Sequence, residues 1–289
     1  MRNALTIDVE DYFQVSAFEN CIARDQWERW PRRVAANTDR VLDLLDTHSL
    51  KATFFVLGWV AKRHPDLVQR MISRGHEVAC HGYAHQRITA MTPDAFQKDI
   101  DRARKLLQDI SGQPVEGYRA PSYTITARTL WALDALIDAG FTYDSSIFPI
   151  RHDIYGMPGA RRFPHRLERP SGSIREFPPT TLEVSLFGKT ANLPVAGGGY
   201  LRLLPVSLIR AAFKRINQEG ENGQGSPCVL YFHPWEIDPG QPRITGAPLK
   251  SRFRHYLNLS RTEAKLASLF GSLSFAPMGS IFGKELSHV

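Results

Sequence analysis

His81-Gly82-Tyr83-Ala84-His85 places two imidazoles four residues apart, a spacing at which both can close on one metal ion. If one helical turn separates them, both rings project from the same face. A water on such an ion becomes acidic enough to act as a nucleophile near neutral pH. The preceding residues, Glu77 to Cys80, read as a short strand, which puts the pair at a strand end. Taken alone, the pattern equally describes two unrelated surface histidines. The zincin protease pattern is excluded, because Gly82 stands where that motif needs its glutamate.

Other polar residues fall at comparable points. Asp8, Glu10 and Asp11 follow the apolar stretch Ala4 to Ile7, Arg119 follows Val115 to Tyr118, and His233 follows Cys228 to Phe232. In a parallel α/β barrel the ends of such strands share one rim, where active sites are built. An acid cluster, two histidines, an arginine and a further histidine meeting on one rim are hard to assign to chance.

The elements that must position them alternate between short apolar runs and amphipathic helical patterns, the signature of βα units around a parallel sheet or barrel. Asn37 or Thr38 is expected to cap a helix through Val41 and Leu45, and Pro65 to open one that Gly75 stops. Thr92-Pro93-Asp94 predicts a helix start, with Gly112 beyond its end. A further helix is expected near residues 127–138. Residues 147–204 break the rhythm with many Pro, Gly and Arg residues and β-like pieces around 174–177 and 182–186, and read as a β-rich insertion shaping a substrate cleft. Gly197-Gly198-Gly199 lacks the Gly-Lys-Ser/Thr of a phosphate loop and reads as a tight turn. Residues 239–289 form a C-terminal extension with a proline-rich loop and a helix near 261–270. No repeat or domain boundary stands out, so residues 1–289 read as one domain.

With 289 residues, 43% of them hydrophobic, the chain can bury a large core. The net charge of +7 is spread along the sequence. Local clusters, Arg32-Arg33 and Arg161-Arg162 through Arg169, suit a solvated basic surface, an acidic substrate or a membrane face. No basic-aromatic module of a nucleic-acid-binding type is present, so no nucleic-acid partner is expected. Cys21, Cys80 and Cys228 form no CxxC pair, against a disulfide framework. The longest apolar run, residues 52–61, falls short of the roughly 20 residues a spanning helix needs. Asp8, Glu10 and Asp11 interrupt the first apolar stretch, so no signal peptide is read and a cytoplasmic location is expected.

The segments Thr6-Ile7-Asp8-Val9-Glu10-Asp11, His81-Gly82-Tyr83-Ala84-His85, Arg119-Ala120-Pro121-Ser122-Tyr123 and Leu230-Tyr231-Phe232-His233 resemble, in order, the motifs of the polysaccharide deacetylase superfamily, carbohydrate esterase family 4. The longer stretches Asp8 to Val15 and Tyr231 to Gly240 resemble its exosortase-associated exopolysaccharide branch. The resemblance implies an α/β fold, a distorted (β/α) barrel with about seven parallel strands in place of a closed eight-stranded one. It implies that His81, His85 and one acid of the first motif hold a divalent metal, most simply zinc. It further implies Asp8 as general base, Arg119 as the partner that aims it, and His233 as the acid that protonates the departing amine. The metal and a backbone N–H beside Ser122 or Tyr123 would hold the oxyanion.

Two departures from the family pattern stand out. Adjacent aspartates are replaced by Asp8-Val9-Glu10-Asp11; strand alternation favours Glu10 as the ligand, while a turn after Asp8 would let Asp11 reach. The usual Asp-x-x-Asp-Trp segment is missing, and Asp144 of Tyr143-Asp144-Ser145-Ser146 stands where it would fall, able to orient His233 or simply to serve a turn. Trp235, with Tyr12, Phe13, Phe18, Trp27 and Trp30, is a candidate stacking face for sugars, and Tyr123 a further substrate contact. The expected activity is removal of N-acetyl groups from N-acetyl-hexosamine units of an exopolysaccharide or its lipid-linked precursor, met inside the cell or at the inner membrane face. The rival readings are an allantoinase-like hydrolase of cyclic amides without this metal triad, and a carbohydrate-binding pseudoenzyme. The oligomeric state is not legible.

Overall fold

The computed structural model describes residues 1–186, 189–195, 197–220 and 223–285. Its first strand, β1 (Arg2–Val9), is buried from Asn3 onward and pairs with three other strands. There β1 pairs in parallel with β10 (Val229–Phe232), β2 (Thr53–Val56) and β11 (Ser274–Ala276). The sheet continues through β3 (Glu77–Cys80), β4 (Gly117–Tyr118), β5 (Tyr143–Asp144) and β7 (Gly172–Glu176). The run β10-β1-β2-β3-β4-β5-β7 therefore has seven parallel strands, the distorted (β/α) barrel that the family resemblance implies. Continuous apolar runs such as Phe54-Phe55-Val56 and Val229-Leu230-Tyr231-Phe232 suit strands covered on both faces.

The segment 147–204 carries β6 (His165–Arg169), β7, β8 (Thr181–Leu186) and β9 (Lys189–Pro194). Read as an insertion, it nevertheless supplies β7 to the barrel wall, with β6 antiparallel at its edge, while β8 and β9 form a separate hairpin. Among the described residues no ladder joins β7 to β10, and single contacts close the wall there. Val229 N–H donates to Thr180 Oγ1 at 2.7 Å, and Gly197 bridges Tyr231. A Cβ on Gly197 would lie 1.7 Å from the Tyr231 carbonyl oxygen, so the close approach requires glycine.

Helices α1 (Val34–Thr47), α2 (Gly58–Arg63), α3 (Pro65–Ser73), α4 (Pro93–Ser111) and α5 (Trp131–Asp138) intervene between the first five strands. In α4 the Thr92 hydroxyl accepts from Ala95 N–H and Gly112 ends the helix at φ 67°, as the sequence signals predict. In α1 the start differs: Asn37 and Thr38 lie inside the helix. The capping acceptor comes from far along the chain, because Asp11 Oδ2 takes the N–H groups of Arg33 and Val34. Beyond β9 come α6 (Gly199–Leu203), α7 (Val206–Glu219), α8 (Leu249–Tyr256), α9 (Leu259–Phe270) and α10 (Met278–Glu285). The proline-rich tail thus carries α8, unanticipated because its Leu249 and Phe253 face outward among basic residues instead of forming a buried stripe. Among the described residues no helix is long and apolar enough to cross a membrane.

Candidate active site

Strand β1 ends in Asp8-Val9, and alternation along it sends Asp8 and Glu10 to one side. Both carboxylates are buried. Asp8 Oδ1 accepts from Arg119 Nη1 at 2.7 Å. Arg119 is fully buried and fixed by three further hydrogen bonds, to Thr6 Oγ1, the Ser145 carbonyl and Ser145 Oγ. The guanidinium is thus locked, and it leaves Asp8 Oδ2 facing His233 Nε2 at 3.9 Å.

His81 follows β3 directly. Its Nδ1 lies 2.8 Å from the Arg119 carbonyl oxygen, which places the proton on Nδ1 and the lone pair on Nε2. Burial lowers the His81 imidazole to about 4, so it is neutral and available as a ligand near neutral pH. His85 reaches the same point by a loop, not by a helical turn. Gly82 turns the chain at φ 72° and His85 itself sits at φ 48°, a conformation a non-glycine residue adopts only when held there. What holds it is Arg24, donating to the carbonyls of Ala84 and His85, while Asp99 Oδ2 accepts from Tyr83 N–H.

One ligand atom each from Glu10, His81 and His85 lie within 4.8 Å of one another. Glu10 Oε2 is 2.8 Å from His85 Nε2, yet this buried oxygen has no hydrogen-bond partner. Burial alone would raise the Glu10 carboxyl, but His85 and His233 outweigh it and hold it at about 2. An orphaned carboxylate oxygen aimed with two imidazoles at one point is a donor set that fits a divalent ion. Asp11 does not enter this cluster. Its Oδ1 accepts from Tyr12 N–H and its Oδ2 caps α1.

His233 closes β10. Its Nε2 lies 3.5 Å from Glu10 Oε1, and its Nδ1 is 2.6 Å from Glu236 Oε1. Glu236 is buried and its other oxygen accepts from Arg202 Nε at 2.6 Å. Burial opposes a charge on His233, but Glu10, Glu236 and Asp8 outweigh it and raise the imidazole to about 9. This ring therefore carries a proton where His81 does not. The group holding His233 is Glu236 and not Asp144, whose carboxylate instead engages Ser146 and Glu176. A signal for Glu236 existed in the sequence: His-Pro-x-Glu is a capping box with proline at the first helical position.

Tyr123 and Ser122 both have φ 53°, and Tyr123 N–H donates to the Ala120 carbonyl, so that amide is committed. Trp235 is buried with its faces stacked on His233 and His255, and its Nε1 donates to Glu10 Oε1. It presents an edge to the site and has no open face for a sugar. Tyr12, Phe13, Phe18 and Trp27 are buried in the core, with Trp30 packed beside Phe13. The cavity over the site, about 520 Å³, is lined instead by Tyr123, Tyr155, Tyr200 and Tyr231, together with Asp8, Glu10, His81, His85 and His233.

Residues 25–143 match the model of the polysaccharide deacetylase family, and residues 145–283 match that of a domain of unknown function, DUF3473. A peptidoglycan-N-acetylglucosamine deacetylase of Bacillus cereus is 32% identical over 98 residues, 34% of this chain and 36% of that protein. A chitooligosaccharide deacetylase of Rhizobium leguminosarum bv. trifolii is 32% identical over 109 residues, 34% of this chain and 51% of that protein. The chain thus spans about a third to a half of the length of these curated relatives. Among solved structures, a Mycobacterium smegmatis protein assigned as a polysaccharide deacetylase superposes with a TM-score of 0.60 at 21% identity, covering 96% of this chain and 87% of that one. The allantoinase Puue gives the same TM-score of 0.60 at 14% identity, again over 96% of this chain and 87% of that one. These two likenesses show the fold, and the fold alone does not choose between them.

Proposed function

We propose that this chain, a member of the polysaccharide deacetylase superfamily, is a metal-dependent hydrolase that removes N-acetyl groups from N-acetyl-hexosamine units of a polysaccharide, in exopolysaccharide biosynthesis. The observation that carries this reading is the meeting of Glu10, His81 and His85 with Asp8 and His233 in one cavity. Glu10, His81 and His85 would hold the ion, and two imidazoles with one carboxylate suit zinc with positions left open. Bound there, the ion would supply Lewis acidity, polarising the amide carbonyl and making water nucleophilic.

The proton movements belong to the chain's own residues. Arg119 fixes Asp8 Oδ1, so Oδ2 is the oxygen that takes the proton of the attacking water. His233 Nε2 delivers its proton to the amine nitrogen as the C–N bond breaks, releasing acetate and a free amine. Glu236 holds His233 Nδ1 and keeps Nε2 aimed at the cavity. Tyr200, on the wall of the same cavity, would supply a ring contact to a neighbouring sugar, whereas the faces of Tyr155 are stacked on His152 and Phe148.

A cavity of this size holds more than the reacting unit, and remote contacts help orient the amide. Turnover of N-acetylglucosamine oligomers from one to about six units is the test, with a cyclic ureide as control. kcat/KM should climb with length. Equal efficiency at every length, or preference for the ureide, would refute the polysaccharide reading.

A further inference from the structure

The basic clusters conspicuous in the sequence are largely occupied. Arg33 pairs with Asp238, Arg162 with Thr181 and Glu183, and Arg169 with Asp134. The cations of α8 differ. Lys250, Arg252 and Arg254 have no carboxylate within ion-pair distance among the described residues, and the helix contains no acid. On the same helix Leu249 and Phe253, four residues apart and so on one face, are 79% and 66% exposed. Two apolar side chains from other elements stand out as well: Leu203 of α6, 57% exposed, and Ile154, 40% exposed. Ile154, Leu203, Lys250, Phe253 and Arg254 all border the active-site cavity.

From this edge we propose that the protein docks on an anionic phospholipid membrane through α8, with Leu249, Phe253 and Leu203 entering the headgroup layer and the exposed Lys250 and Arg254 facing lipid phosphates. Large exposed apolar side chains ringed by unpaired cations match an anionic bilayer in both chemistries. A sugar chain matches the cations alone, and only if it is acidic. The position adds a consequence: docking turns the cavity mouth toward the bilayer, so a sugar attached to lipid enters without leaving the surface. That last step rests on the function proposed above, whereas the docking does not.

The test is co-sedimentation of the full chain with vesicles, without substrate, so that it stands apart from catalysis. Vesicles of phosphatidylcholine alone are compared with equimolar phosphatidylcholine and phosphatidylglycerol. The protein should pellet with the anionic vesicles and release as salt rises. Each basic side chain near such a surface is worth about fivefold in affinity, so Lys250→Glu with Arg254→Glu should weaken binding more than tenfold. Leu249→Ser, a change at a side chain that is already exposed, should weaken binding without moving the thermal midpoint. Absence of anionic-vesicle binding, or binding that both variants retain in full, overturns the proposal. If vesicles are ignored while the charge variant loses turnover only on acidic polymers, the patch serves the sugar and the docking assignment is wrong. Turnover of soluble oligomers together with no vesicle binding would sink the docking alone.

Discussion

His233 and His81 are both imidazoles at strand ends, and their surroundings set them to opposite tasks. Burial lowers His81 to about 4, whereas the facing carboxylates lift His233 to about 9 against the opposing effect of burial. An acid must be protonated to act, so activity should fall as pH rises through the His233 value. A metal that takes part of Glu10's charge would place this alkaline limb at or below about 9. Glu236→Gln removes one of the facing charges, and the limb should move toward lower pH by on the order of one unit. A pH–rate profile checks this, and an unmoved limb would remove Glu236 from the account. Asp8→Asn should keep its metal while losing about 10²–10⁴ in kcat. Metal loss in that variant would make Asp8 a ligand instead.

At the scale of elements, Asp11 acts as a cap supplied across the fold. Asp11→Ala strands the N–H groups at the start of α1 and should lower stability by about 1–2 kcal/mol with the metal content unchanged. Denaturant unfolding and metal analysis together separate a cap from a ligand. The same residue shows what was legible. Strands β1, β2, β3 and β10 follow from their apolar runs, and the polar residues that end them follow from barrel geometry. Strand alternation favoured Glu10 over Asp11, and it is Glu10 whose oxygen meets the histidines. What stayed hidden depended on distant partners: the capping of α1 by Asp11, and the holding of the His85 loop by Arg24. Helix α8 was hidden because it turns its apolar side outward.

For the molecule as a whole, the barrel seam is where site and stability meet. Gly197 touches the Tyr231 carbonyl two residues before His233, so closing the wall also fixes the acid's strand. Gly197→Ala should cost about 1–3 kcal/mol through overpacking and lower kcat with it. A variant as stable and active as the parent would show that the seam is slack. The metal centre is the most direct test of the whole account. Acetate release from a chitooligosaccharide should be measured on protein stripped by a chelator, then reloaded with zinc, beside His81→Ala. Release that disappears on stripping, returns on reloading and is missing from the variant is the predicted result. Undiminished release by the stripped protein, or by His81→Ala, would contradict it.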